Sequence, residues 1–413
     1  AREAVLTWLA DFQQNPTVQP TRYAFDWHPE IFANALINLG LDDEAIAFLR
    51  ATLTIKPADD TLIDLLNELL IKRHQVEAAL EQLNLVVALH PGSIGRQRNL
   101  ARLLAQTKRG PAAYAAWKQT RELAPQPQLE DQLGLAEAAL EIGKIQEAVE
   151  ICTKILEEDE NQPLAGSILA KALILSGQPE QAIPVLVRVT ALLPEQESNW
   201  LLLAEAQRNI GENQRALETL RAASLAVADS AEIQLQLGSI CLQTGSPAEA
   251  LPSLRKAVQL SPSSSQAAIL LGDTLLSLGH YSEAQMMLTE AFARWPQDCD
   301  LAYVYGRSLL GIGDRAAAIH ALEIAIQTPT PDMDRYILLV ETLLDGFTPG
   351  SVVEPENAAA RLERAEQVLQ AALTWMPDHW TAQMLQAELL LAKQENQAAK
   401  DLYQRLMEDD PAQ

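Results

Sequence analysis

Along most of the chain, apolar residues return every three or four positions in runs of about a dozen, the spacing that puts them on one side of an α-helix. "SQAAILLGDTLLSL", Ser265 to Leu278, is one such run and stops at Gly279. "SEAQMMLTEAFARW", Ser282 to Trp295, is the next and stops at Pro296. Glycine and proline are ordinary helix terminators, so the pattern predicts two helices joined by a tight turn. Alternating Val, Ile, Thr and Tyr runs, the mark of strands, are absent. The predicted class is all-α.

The pair then recurs. "LGSICLQTGSPAEALPSLRKAVQLSP" starts at Leu237 and "LGDTLLSLGHYSEAQMMLTEAFARWP" at Leu271, 34 residues later. A slot of small residues runs through Ala33, Asn67, Ala101, Ala136, Ala170, Ala204, Gly238, Gly272 and Gly306. An alanine series runs through Ala45, Ala79, Ala113, Ala148, Ala182, Ala216, Ala250, Ala284 and Ala318, then Ala365 and Ala399. Proline closes many units, at Pro57, Pro91, Pro125, Pro194, Pro262, Pro296, Pro377 and Pro411. Small residues in both helices predict close backbone approach, as at Gly272, Ala284 and Ala291. One hairpin is too small to bury its apolar faces alone; stacking on its neighbours buries them.

The register divides the chain into units at 26–59, 60–93, 94–127, 129–162, 163–196, 197–230, 231–264, 265–298, 299–332, 333–379 and 380–413. Residues 26–332 therefore read as nine regular units, 333–379 as a tenth with a 13-residue insertion, and 380–413 as an eleventh. This length and this small–small–proline pattern resemble the tetratricopeptide repeat (TPR) family, over all but the first 25 residues. The aromatics usual in that family survive here only as Trp200, Trp117 and Tyr403, with Leu mostly in their place. The resemblance implies a right-handed α-α superhelix. First helices would line its concave, ligand-facing side and second helices its convex side.

Two places break the register. Residues 1–25 hold a run, Ala1 to Asn15, that reads like a second helix without its first, followed by a linker. Either it is an N-terminal cap, or the chain, which begins at Ala1 rather than Met, is cut from a longer array. Tyr23, Phe25 and Trp27 follow and read as a seal on the open end of the core, with peptide binding as the alternative. The insertion, "DGFTPGSVVEPEN", is rich in turn formers and reads as a loop, with Pro355 near the start of a lengthened helix.

Charge changes the functional picture. The chain carries 31 Lys+Arg against 55 Asp+Glu, a formal charge of −24. That argues against wholesale binding to nucleic acid or anionic membrane. Yet residues 60–125 hold nine basic against six acidic side chains. Arg98 and Arg102, four apart, share one face of a first helix. They are expected to pair with acidic neighbours, Arg98 with Asp64, and Arg102 within a charge-alternating row Glu68–Arg102–Glu137. Lys72 and Arg73, and Lys108 and Arg109, fall at adjacent turns and are expected to form a basic rim. These six residues are the candidate partner-binding site, for a contact that is acidic on the partner's side.

Candidate chemistry is sparse. No histidines stand at metal-ligand spacing, and no HExxH, P-loop or GxGxxG occurs. Cys152, Cys241 and Cys299 are far apart, which predicts neither a disulfide framework nor zinc and fits a reducing, cytoplasmic setting, with a periplasmic or membrane-tethered one as the alternative. No run is apolar enough to span a bilayer. The expected function is a non-enzymatic interaction scaffold without cofactor, taking a peptide or protein partner. The alternatives are the targeting region of a larger transferase or signalling enzyme, or a structural subunit of an envelope or filament assembly.

Overall fold

A computed structural model describes residues 29–55, 59–328, 331–347 and 355–409. They are helical without strands among the described residues, and they separate into two compact units, up to Leu193 and from Pro194 onward. The first unit holds α1 (Pro29–Asn38), α2 (Asp42–Ile55), α3 (Asp60–Lys72), α4 (Val76–Leu89), α5 (Ile94–Gln106), α6 (Gly110–Leu123), α7 (Leu129–Glu141), α8 (Ile145–Glu158), α9 (Pro163–Leu175) and α10 (Pro179–Leu192). The second holds α11 (Glu197–Asn209), α12 (Asn213–Ala226), α13 (Ala231–Gln243), α14 (Pro247–Leu260), α15 (Ser265–Ser277), α16 (Tyr281–Arg294), α17 (Cys299–Ile312), α18 (Arg315–Ala325), α19 (Met333–Leu344), α20 (Pro355–Trp375), α21 (Trp380–Ala392) and α22 (Asn396–Asp409). Odd-numbered helices are the first of a pair and even-numbered helices the second. Within each unit the pairs stack in chain order. Residues 1–28, with the half-repeat and Tyr23, Phe25 and Trp27, lie outside the described residues. So does most of the insertion.

The two small-residue series form the seam. All eleven members of the alanine series, Ala45 through Ala399, are fully buried. Opposite them, a Cβ added to Gly238 would stand 2.5 Å from Leu254, and one added to Gly306 would stand 2.8 Å from Leu322. A leucine of the second helix thus lies directly on the backbone of the first. The core between helices is aliphatic, with Leu, Ile, Val and Ala supplying most of it.

The turn inside each pair is equally regular. Gly143, Gly177, Gly211, Gly245, Gly279 and Gly313 all have φ between 74° and 85°. The following amide reaches back five residues, as Lys144 N–H does to Ala139 C=O at 2.8 Å. This is the left-handed helix cap that favours glycine. His74, Lys108 and Gln394 take the same place with φ of 57°, 56° and 66°. Side chains with a Cβ are therefore held there at a conformational cost.

Candidate functional site

Each unit has an open cleft on its first helices. The cleft of the first unit, about 400 Å³, is lined by α3, α4 and α5. That of the second, about 550 Å³, is lined by α11, α12 and α13. Their residues correspond place by place in the repeat. Asp64 matches Leu201, Asn67 matches Ala204, Glu68 matches Glu205, Ile71 matches Arg208, Leu83 matches Leu220, and Asn99 matches Gln236. A cleft that returns in the same register is made by the stacking itself: the gap between consecutive first helices, floored by a leucine of the second helix.

The contents differ. In the second cleft Arg208 donates to Gln236 Oε1 at 3.2 Å, and Gln236 donates to Glu232 Oε1 at 2.8 Å. In the first cleft Asn67 is 7% exposed, and neither its Oδ1 nor its Nδ2 has a hydrogen-bond partner. An unmade hydrogen bond at a buried amide costs about 1–3 kcal/mol per group. Asn67 occupies the slot that alanine or glycine fills in every other member of its series. Its polarity was the signal available in the sequence, and a reading by residue size passes over it.

The basic block is arranged differently from the sequence expectation. Arg98 pairs with Asp131 of the following first helix, not with Asp64. Its Nε and Nη2 donate to the two carboxylate oxygens at 2.6 and 2.8 Å. Asp131 is fully buried, and its carboxylate also accepts from the Gln128 backbone N–H at 3.2 Å. Arg98 is held above its ordinary pKa, chiefly by the hydrogen bond to Asp131. Asp64 instead accepts from Asn99 Nδ2 at 3.1 Å. Arg102 pairs with Glu130, at the start of the same following helix, rather than with Glu68 or Glu137. That pair raises the guanidinium and lowers the carboxyl. The physical reason is reach: these long side chains extend to the first turn of the next helix, where carboxylates are favoured by the free N–H groups. Place-to-place pairing does occur in the second unit, between Arg307 and Asp273 at 2.5 Å.

The turn residues are not an open basic rim. Lys72 meets Asp42 at 3.0 Å and Arg73 meets Asp43 at 2.9 Å. Arg109 meets Glu77. All three carboxylates lie in the acidic first turn of a preceding second helix. Lys108 is exposed and has no ion pair among the described residues. Of the six candidates, five already hold a carboxylate of their own chain.

A sequence model of the tetratricopeptide repeat matches residues 201–265, 269–334 and 353–413. Those three stretches carry tetratricopeptide repeats. The matched stretches all lie in the second unit, and the helix pairs of the first unit keep the same register. No curated protein matches the chain significantly. Among solved structures, a tetratricopeptide repeat protein from Parabacteroides merdae is 18% identical, with a TM-score of 0.47, and covers 60% of this chain and 97% of that one. A TPR protein of Thermus thermophilus, TTC0263, is 23% identical over 45% of this chain and all of that one, with a TM-score of 0.36. The APC/C hetero-tetramer Cut9–Hcn1 gives 14% identity and a TM-score of 0.43, over 94% of this chain and 81% of that one. No function passes from these likenesses to this chain.

Reactive groups are not assembled around the clefts. Among the described residues no three of His, Cys, Asp and Glu come together to hold a metal. Burial pushes the Cys152 thiol up to about 12 and raises Cys241 as well, so neither supplies thiolate at neutral pH. Among the described residues no helix is long and apolar enough to cross a membrane. Tetratricopeptide repeats are interaction modules, and what this surface offers is shape, charge and hydrogen bonds.

Proposed function

We propose that this chain is a non-enzymatic scaffold that seats a peptide or protein partner along its first helices, without a cofactor, in the cytoplasm. One observation carries the reading: the same cleft, open to solvent and lined by polar side chains over an aliphatic floor, recurs in register in both units. A preformed, repeated surface suits an extended partner segment better than a single small substrate. Gln106 and Gln243 stand at matching, exposed places in the two clefts, so Gln106→Trp and Gln243→Trp fill them without touching the core. Both variants should keep wild-type helicity and melting temperature and lose proteins captured by wild type. Identical capture by wild type and by the doubly filled variant would refute the reading. A catalytic domain beside this array in the full reading frame would favour the targeting region of an enzyme instead.

A second reading keeps Lys72, Arg73, Lys108 and Arg109, with Arg98 and Arg102 behind them, as a docking edge for an acidic partner. The observation that favours it is exposure. The carboxylates paired with Arg73 and Arg109 are 68% and 73% exposed, and such pairs are worth about 0–1 kcal/mol. A partner carboxylate therefore displaces them at little cost, and Lys108 needs no displacement. Reversing the four turn residues to Glu should slow association and weaken its salt dependence. Unchanged kinetics at two salt concentrations would remove the edge from the site.

A further inference from the structure

We propose that the cleft of the first unit is a pocket for a basic side chain, an arginine, of the partner segment; this rests on the scaffold reading and gives its chemistry. The cleft holds one carboxylate, that of Glu68, with no cation of its own chain set against it among the described residues. Arg102, its one cationic wall residue, is already engaged by both oxygens of Glu130. Glu68 is exposed, lines the cleft and has no cation among the described residues. Asp64, on the same helix, also lines the cleft and is engaged by Asn99 Nδ2.

Acidity alone does not define a site; Asn67 supplies the independent sign. Asn67 lines the cleft, and both polar atoms of its amide are buried and unpartnered. A donor and an acceptor from outside the chain would satisfy such a group. Beneath it, Leu83 and Leu103 are almost fully buried, and Ile71 closes one side.

The occupant that fits is a cation on an aliphatic stem. A guanidinium presents several N–H groups in a fixed fork, so one side chain can donate to Asn67 Oδ1 and to the Glu68 carboxylate together. Asn67 Nδ2 then donates to a backbone carbonyl of the same segment. The second cleft lacks this chemistry. Ala204 replaces the buried amide and Arg208 puts a cation where Ile71 stands, so the pocket is confined to the first unit.

The test passes a library of acetylated, amidated dodecapeptides of random sequence over the immobilised full chain. Mass spectrometry reads the retained fraction, and calorimetry measures one retained peptide against its arginine-to-citrulline counterpart. Arginine should be enriched. Citrulline, neutral and of the same shape, should bind about tenfold more weakly. Glu68→Gln and Asn67→Ala should each weaken the arginine peptide, while Asn67→Ala melts no lower than wild type because it restores the small residue of the repeat. Binding loss with a lowered melting temperature would mark Asn67 as structural and overturn its role. Retained peptides enriched in acidic or apolar residues, or binding indifferent to both variants, would overturn the pocket while leaving the scaffold standing. A library that leaves nothing on the protein would count against both.

Discussion

Arg98→Ala tests the ion pair at the centre of the basic block. Asp131 has a side-chain exposure of 0% and Arg98 one of 16%, and the two are joined by two charge-assisted hydrogen bonds. Removing the arginine leaves a carboxylate that cannot reach water, with one remaining backbone donor at Gln128. Breaking a buried pair on one side costs about 3–5 kcal/mol. The partial exposure of Arg98 and the surviving backbone bond place this case near about 3 kcal/mol. Asp131→Asn should cost less, because the stranded Arg98 head can turn toward solvent. Arg102→Ala is the internal control: both side chains of its pair are almost half exposed, so its loss stays within about 1 kcal/mol. The assay is urea denaturation followed by circular dichroism, fitted with nearest-neighbour repeat coupling because arrays of repeats depart from two-state behaviour. The double variant Arg98→Ala/Asp131→Ala should recover part of the loss. If Arg98→Ala costs no more than Arg102→Ala, the pair is not the buried link described above.

Other substitutions follow from the same geometry. Lys108→Gly and His74→Gly place glycine where φ is 56° and 57°; each should stabilise by about 0.5–1 kcal/mol in the same urea titration, and a destabilised variant would contradict the left-handed turn. Gly134→Ala would set a Cβ 2.4 Å from the buried Trp117 ring; we expect a loss of about 1–3 kcal/mol with a shifted tryptophan emission, and an unchanged spectrum and midpoint would disprove that contact. Gly272→Leu drives into Leu288 and Val304, each 2.9 Å from where its Cβ would stand, and should lower the melting temperature, as should Ala284→Leu at the fully buried facing slot; a wild-type melting temperature for either would contradict the seam. Glu341 is raised above the usual carboxylate range by partial burial and then by Glu388. The folded state therefore holds that proton more tightly than the unfolded state, and falling pH relieves the strain. Glu341→Gln should raise the melting temperature slightly at neutral pH, with the gain vanishing as pH falls through the ordinary carboxylate range; a gain independent of pH would exclude the charge explanation.

Much of the architecture is local and so was legible in the sequence. Apolar spacing marks each helix, glycine or a tolerated substitute marks each turn, and small residues mark the seam, because each of these requirements falls on residues close together in the chain. Gly238 against Leu254 is a contact within one hairpin, which repeats whenever the hairpin repeats. Charge pairing is different. Arg98 finds Asp131 and Arg102 finds Glu130 only once consecutive first helices are stacked and the reach of each side chain is set. Equal rank in the repeat predicts the partner for Arg307 and Asp273 and not for these two. The turn cations were likewise visible, but the acidic first turns that neutralise Lys72, Arg73 and Arg109 come alongside only in the stack. Asn67 shows the division most sharply. Sequence determines that a polar residue sits in a small-residue slot; tertiary packing decides that its amide is buried without a partner, because whether a polar group is satisfied depends on atoms brought from other helices.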